Sequence, residues 1–378
     1  MNRIKALQII PSLKGGIGSV LLNFCSRLDS RKIQIDFGVF IDDDKARKKL
    51  VEKTIGRVYV LPRMSRDYGQ YKRALEQLIS ENKYDIVHAH QNSMSFIPLG
   101  IAKAQGVHGR IMHSHATDFE GGSKMKNMIS KIINRLKMNS VANVRLACGK
   151  KAGEFLYGKR AMRKGNVIVL PNAIDTEKFR FDLAERERMR TMFGFGDDEK
   201  VLLFVGRLVE IKNIPLCLDI IKRCDDKTKL VICGSGDKEQ LLKEKCVSEG
   251  ITSKVLFVGE RADVAAMYCM ADAFLLTSFA EGFPMTIVEA LASRLPCFIS
   301  DTITDEFCDY EAVEYCPLQD ADYWVEALKA LPLGKRYDMI NRLNDKKLNI
   351  ETAAEMLSQI YEEAVKGISV TAKQMESK

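Results

Sequence analysis

Nowhere in the 378 residues is there an apolar run of about 18 or more, so no membrane-spanning helix is expected. The first residues, MNRIKALQIIPSLKGG, lack the small-residue cleavage site of a secretory leader and read as a first β-strand. Ten cysteines occur, yet none forms a C-x-x-C pair. The spacing that zinc sites need is therefore missing, which leaves free buried thiols in a reducing cytosol. Acids are almost lacking between Gly121 and Lys164, where twelve Lys/Arg stand against the single Glu154. The whole chain carries only +8, so this one segment exceeds the total excess. Such a patch favours a polyanionic partner or an anionic membrane surface. Nucleic acid is disfavoured, because aromatic residues are not interleaved with the basic ones. The expected location is cytoplasmic, peripheral on the inner face of the membrane.

What is present is a repeated alternation of short apolar strands and amphipathic helices, with 46% apolar residues overall. Strands are expected at 5–10, 33–40, 57–61, 85–90, 109–115, 144–148 and 166–170. The pattern then restarts at 201–206, 229–234, 254–259, 273–278 and 297–300. Short apolar strands separated by helices mean a parallel sheet covered on both faces. The expected fold is α/β, with two doubly wound Rossmann-like domains, 1–172 and 173–349, facing a central cleft. A helix at about 350–366 is expected to pack back on the first domain, followed by a loose polar tail. In such sheets ligands bind at the carboxyl ends of the strands.

Three stretches carry the chemistry. In EGFPMTIVEALAS, Glu281 and Glu289 are eight positions apart. Pro284 suits the first position of a helix running to about Ser293, with Thr286, Ile287, Val288, Ala290 and Leu291 buried. Along a helix that spacing is roughly 12 Å, too far for paired-acid glycosidase chemistry. The two acids then accept hydroxyls from different parts of one long ligand; the plainer alternative makes Glu289 a helix-surface acid. Gly282 lets a ligand approach the backbone, and the helix start favours an anion. In VGRLVEIKN, Gly206 ends a strand and Arg207 and Lys212 follow it. A guanidinium and an ammonium at a strand tip, facing solvent in an empty site, suit a diphosphate; the alternative is a solvated basic loop. In ICGSGDK, Gly234 and Gly236 form a strand-to-turn pair able to accept a phosphate or base, a weak signal alone. Gly15, Gly16 and Gly18 follow the first strand but lack the G-x-G-x-x-G order, so a turn approaching a phosphate is preferred to dinucleotide binding.

Four of the five histidines, His88, His90, His113 and His115, sit near the ends of two strands. One such histidine is usually structural; four on adjacent tips suggest a polar functional wall. A metal lacks a closed ligand set, so none is expected. The run Asp42 to Asp44 reads as a solvated turn. Between 124 and 137, Met125, Met128, Ile129, Ile132 and Leu136 form an apolar stripe flanked by Lys124, Lys126, Lys131 and Arg135. This amphipathic basic helix either packs on its own domain or meets an acceptor or membrane.

Taken together, the motifs resemble the retaining glycosyltransferases of family 4, with the GT-B fold. The resemblance rests on E-x(7)-E (EGFPMTIVE), R-x(4)-K (GRLVEIK), PNAID and GGIG, in the expected order over nearly the whole chain. It implies that Arg207 and Lys212 hold the donor diphosphate and stabilise the leaving group. It assigns Glu281 to donor-sugar hydroxyls, with Gly282, Phe283, Pro284 and Met285 beside it, and Glu289 to the ribose. Gly15 and Gly16 approach the diphosphate, Gly206, Gly234 and Gly236 line the donor side, and His115, with His113 as the fallback, faces the reacting sugar. The implied partners are a nucleotide sugar, UDP being the safer base, and a glycan or lipid-linked acceptor in capsule, exopolysaccharide or O-antigen assembly. No cofactor or metal is implied. Ala173 stands where the family usually has Gly in PNGID, and Arg294 stands where a Gly commonly follows the second glutamate's helix. Rival readings are a nucleotide-sugar epimerase of the same fold, a non-catalytic nucleotide-sugar-binding subunit and a dinucleotide oxidoreductase.

Overall fold

The computed structural model describes residues 3–42, 45, 49, 56–115, 138 and 140–376. The expected basic helix with Lys124, Lys126, Lys131 and Arg135 lies outside these residues, as do Asp43 and Asp44. The chain forms two compact units: residues 1–173 with 347–378, and residues 174–346.

The first unit holds seven strands: β1 (Ile4–Ile10), β2 (Ile33–Val39), β3 (Val58–Val60), β4 (Ile86–Ala89), β5 (Gly109–Ser114), β6 (Val144–Ala147) and β7 (Ile168–Val169). They pair in parallel in the order β3-β2-β1-β4-β5-β6-β7. The second holds β8 (Lys200–Val205), β9 (Thr228–Cys233), β10 (Val255–Gly259), β11 (Ala273–Leu276), β12 (Cys297–Ser300) and β13 (Val313–Cys316). These too are parallel, in the order β10-β9-β8-β11-β12-β13. The central strands read as unbroken apolar runs because helices cover both faces; Leu202, Leu203 and Phe204 of β8 have no exposure at all. In each sheet the winding reverses beside the first strand, between β1 and β4 and between β8 and β11. Loops at such a reversal diverge and leave room for a ligand beyond the strand ends.

Strand β13 was not expected from the sequence. It is a four-residue edge strand carrying Glu314, and its mixed exposure hides it from an apolar-run reading.

Helix Ile350–Ala364 belongs to the first unit, where it packs on helix Gly15–Cys25 and on β5. Its buried residues, Ile350, Ala353, Ala354, Leu357, Ile360, Tyr361 and Ala364, form one stripe at helical spacing. The tail after it is not loose. Val370 is buried and bridges to Val144, and the Ala372 N–H donates to the Gly165 carbonyl at 3.0 Å.

Helix Met285–Ala292 ends in a Schellman motif: the Arg294 N–H donates to the Leu291 carbonyl and the Leu295 N–H to the Ala290 carbonyl, both at 2.9 Å. This places Arg294 in the left-handed region, with φ at 59°. A residue with a Cβ is disfavoured there, and its guanidinium gains an ion pair with Asp338 at 2.6 Å that is largely solvated. Arg294→Gly is therefore expected to raise stability by roughly 0.5–1 kcal/mol in urea unfolding, the relief of φ strain outweighing the lost surface pair.

Candidate functional site

The second unit's reversal point is built by two loops stitched together. After β8 the chain makes a short 3-10 turn, Glu210–Lys212, and Asn213 takes a left-handed conformation with φ at 48° before helix Ile214–Arg223 starts. After β11, the Thr277 hydroxyl lies 3.1 Å from the Lys212 carbonyl and 3.0 Å from that of Asn213, and the Phe279 N–H donates to the Ile211 carbonyl at 2.9 Å. These bonds fix Lys212 against the start of the glutamate stretch.

The result is an ion pair. Lys212 Nζ lies 2.5 Å from Glu281 Oε1, with only 16% and 14% of the two side chains exposed. The Ser278 hydroxyl donates to the same oxygen at 2.6 Å. Lys212 was expected to face solvent; it is instead half-buried and neutralised by Glu281. Arg207, by contrast, is exposed at the tip of β8. The site thus sets an exposed cation beside a preformed cation–carboxylate pair.

Glu281 is not on the helix. The helix starts at Met285, and Pro284 is its N-cap in extended conformation, not its first residue. The separation along a helix axis therefore does not apply to the two acids, although they do have different surroundings. Phe283 is buried against Phe307, with ring centroids 5.4 Å apart, which anchors the Gly282–Pro284 turn. Thr286 is half-buried, unlike Ile287, Val288, Ala290 and Leu291, which are fully buried as expected.

Glu289 lies inside the helix and is not a surface acid. Its Oε2 accepts the Tyr268 hydroxyl at 2.8 Å. Burial pushes its carboxyl up to about 7, against the opposing pull of the Tyr268 hydroxyl and the Lys178 charge. Tyr268 is completely buried, and its hydroxyl is held well above its ordinary value by burial and by the neighbouring carboxylate. Sequence reasoning missed Tyr268 and Ser278: the first lies outside any motif, and a serine three residues before a glutamate has no distinctive spacing.

The glycines divide into two kinds. A Cβ on Gly234, whose φ is 144°, would stand 1.9 Å from the Gly206 carbonyl oxygen, and one on Gly236 would stand 2.3 Å from that of Leu208. Both positions are therefore demanded by the neighbouring loop, whether or not a ligand is near. In the first unit, Gly18 is likewise required by the Leu13 carbonyl, 2.0 Å from where its Cβ would be. Gly16 has open space around it and, with Gly15, begins helix Gly15–Cys25 after Lys14, which caps it with no side-chain bond.

The four histidines do not form a wall. His88, His90 and His113 are buried at 1%, 0% and 2% exposure, and His115 is half-buried. The rings pack on one another, His88 with His113 at 5.3 Å and His113 with His115 at 4.1 Å between centroids. Burial holds all four well below the ordinary histidine range, His115 at about 4, so the cluster is neutral. Ring nitrogens of His88, His90 and His113 lie within 4.8 Å of one another, close enough to hold a metal ion. Both nitrogens of His90 are already engaged, by Gln8 and by His115, so a metal would have to break one of those bonds.

Residues 185–342 match the family Glycosyl transferases group 1, and residues 14–178 match Glycosyltransferase Family 4. A Bacillus subtilis protein, EpsF, that carries a glycosyltransferase name is 30% identical over 309 residues, 80% of each chain. The chain is a family 4 glycosyltransferase. The Escherichia coli UDP-Gal:alpha-D-GlcNAc-diphosphoundecaprenol alpha-1,3-galactosyltransferase is 23% identical over 95% of this chain and 96% of its own. Among solved structures, Anabaena HepE in complex with UDP is similar with a TM-score of 0.73 at 16% identity, covering 99% of this glycosyltransferase and 98% of HepE. The fold is GT-B, made of two Rossmann-like units. No helix among the described residues is long and apolar enough to cross a membrane.

Two outcomes test the electrostatics of this transferase. Lys212→Ala leaves a largely buried carboxylate behind and is expected to cost about 1–3 kcal/mol in urea unfolding, whereas Arg207→Ala changes stability by less than about 0.5 kcal/mol. Glu289 has its folded pKa raised from 4.5 to about 7, so its contribution to stability is complete below pH 4.5 and lost as pH rises through 7. Urea midpoints of the wild type should therefore fall relative to those of Glu289→Gln between these two pH values.

Proposed function

We propose that this transferase moves a sugar from a nucleoside diphosphate donor, with UDP as the base, to a lipid-diphosphate-linked or other glycan acceptor in cell-surface polysaccharide synthesis. The observation that carries the reading is the Lys212–Glu281 pair beside the exposed Arg207 at the second sheet's reversal point. A diphosphate arriving there meets Arg207 in a bidentate grip and Lys212 as a point charge. Glu281 accepts a sugar hydroxyl next to that charge, and Glu289 accepts the ribose hydroxyls once ionised. Gly206, Gly234 and Gly236 keep the strand-tip loops close together, and Gly282, Phe283, Pro284 and Met285 carry the donor side.

As the bond from the sugar to the diphosphate breaks, negative charge grows on the leaving phosphate and Arg207 and Lys212 stabilise it. The sugar becomes oxocarbenium-like. The acceptor hydroxyl attacks from the side the phosphate leaves, its proton passes to that phosphate, and configuration is retained. These cations supply the counter-charge that a metal gives elsewhere, so the reading needs none. On the first unit, His115 accepts a sugar hydroxyl; at about 4 its pKa makes it a hydrogen-bond acceptor and a poor base at neutral pH. The choice of acceptor is supported by the name of the E. coli relative and by the twelve basic residues between Gly121 and Lys164. That stretch would hold the protein on an anionic membrane.

A thermal-shift screen of nucleotide sugars tests the donor: one UDP-sugar at about 100 times its Kd should add about 2.7 kcal/mol of stability, while GDP-sugars leave it unchanged. With that donor, Arg207→Ala should lower kcat by about 100-fold, read as UDP release in the presence of acceptor. Release unaffected by that substitution would refute the assignment. The Lys124/Lys126/Lys131/Arg135 quadruple alanine variant should lose sedimentation with anionic vesicles, and full retention would refute the membrane contact.

A further inference from the structure

The buried cluster of the first unit contains a continuous run of hydrogen bonds. The Gln8 amide, on β1, donates from Nε2 to the Tyr361 hydroxyl at 2.5 Å. Its Oε1 lies 2.7 Å from His90 Nε2. His90 Nδ1 lies 2.9 Å from His115 Nε2, and the Tyr361 hydroxyl lies 2.9 Å from His88 Nδ1. Gln8, His88 and His90 are buried at 1% exposure or less, and Tyr361 is completely buried, so solvent cannot substitute for any of these partners.

The chemistry of each atom sets the direction of the run. An amide oxygen only accepts, so His90 Nε2 must carry the proton it shares with Gln8 Oε1. The ring is neutral, burial holding it far below the ordinary range, so its Nδ1 is then a bare lone pair. A lone pair can only accept, so His115 Nε2 must carry the proton between the two histidines. His115 is also neutral, and its Nδ1 is left as an acceptor that finds no partner among the described residues. On the other arm, the Tyr361 hydroxyl receives the amide hydrogen of Gln8 and gives its own to His88 Nδ1. An unmet buried acceptor costs about 1–3 kcal/mol, so the arrangement is an expense that a ligand hydroxyl at His115 Nδ1 would offset.

We infer that Gln8 and His90 are positioning residues: acting in series, they hold His115 as its Nε2–H tautomer and present its Nδ1 as the acceptor for a sugar hydroxyl. The inference extends the glycosyl-transfer reading and rests on it for the role of His115, but not for the tautomer. Gln8 acts without touching the ligand, as outer partners of functional histidines do elsewhere. His113 stays outside the run; neither of its ring nitrogens has a partner among the described residues.

The test uses the full chain labelled with [15N]histidine, and long-range proton–nitrogen correlation to read which ring nitrogen of His115 carries hydrogen, the signal being assigned with His115→Gln. The wild type is expected to show Nε2–H. Gln8→Met removes the acceptor and should give a mixture of tautomers. In steady-state assays Gln8→Met should lower kcat ~10- to 100-fold with the donor KM nearly unchanged. Nδ1–H at His115 in the wild type, or an unchanged tautomer in Gln8→Met, overturns the inference. Should Gln8→Met not fold, the wild-type reading still decides. A wild-type chain that shows Nε2–H but transfers no sugar refutes the proposed function and leaves the tautomer assignment standing.

Discussion

The second unit's chemistry depends on one contact, the largely buried pair of Lys212 and Glu281. A lysine charge taken from water is tolerated only with a partner, and a carboxylate likewise. Each therefore requires the other, and both require their loops to be held in register. The Thr277 hydroxyl and the Phe279 N–H supply that register by bonding the carbonyls of the 3-10 turn. The backbone-tight glycines at 234 and 236 extend the same arrangement to the third loop.

The first unit uses a different device. It holds neutral rings, not charges, and their order comes from donor and acceptor complementarity. Four imidazoles, an amide and a phenol share one interior, and burial keeps the rings uncharged. In low dielectric such a run is directional: fixing one hydrogen fixes the next. The two units thus bring opposite kinds of polarity to their strand tips, one ionic and the other neutral.

Much of this was legible in the chain. The apolar runs at 5–10, 201–206 and 297–300 lie within a residue of β1, β8 and β12, because a strand covered on both faces has to be continuous in sequence. The edge strand β13 escaped, since an edge tolerates Glu314 and loses the apolar signature. E-x(7)-E and R-x(4)-K located Glu281 and Lys212, but spacing says nothing about who neutralises whom. Lys212 looked solvated because its partner is 69 residues away. Tyr268, Ser278, Gln8 and Tyr361 were illegible for the same reason: their meaning lies in contacts made across the fold. The histidines were found by their crowding and misread as a surface, because alternation along a strand does not reveal which side another layer will cover. Here that layer is the helix Ile350–Ala364, whose Tyr361 meets His88.

That helix has a consequence for how the protein is made. Residues 174–346 form a contiguous unit, whereas the other unit takes helix Ile350–Ala364 from beyond them. On the ribosome the middle of the chain can complete its sheet as soon as it emerges, while the earlier portion must wait, its interior lacking Tyr361 and the stripe beside it. The amino-terminal half is then expected to be the last part to mature.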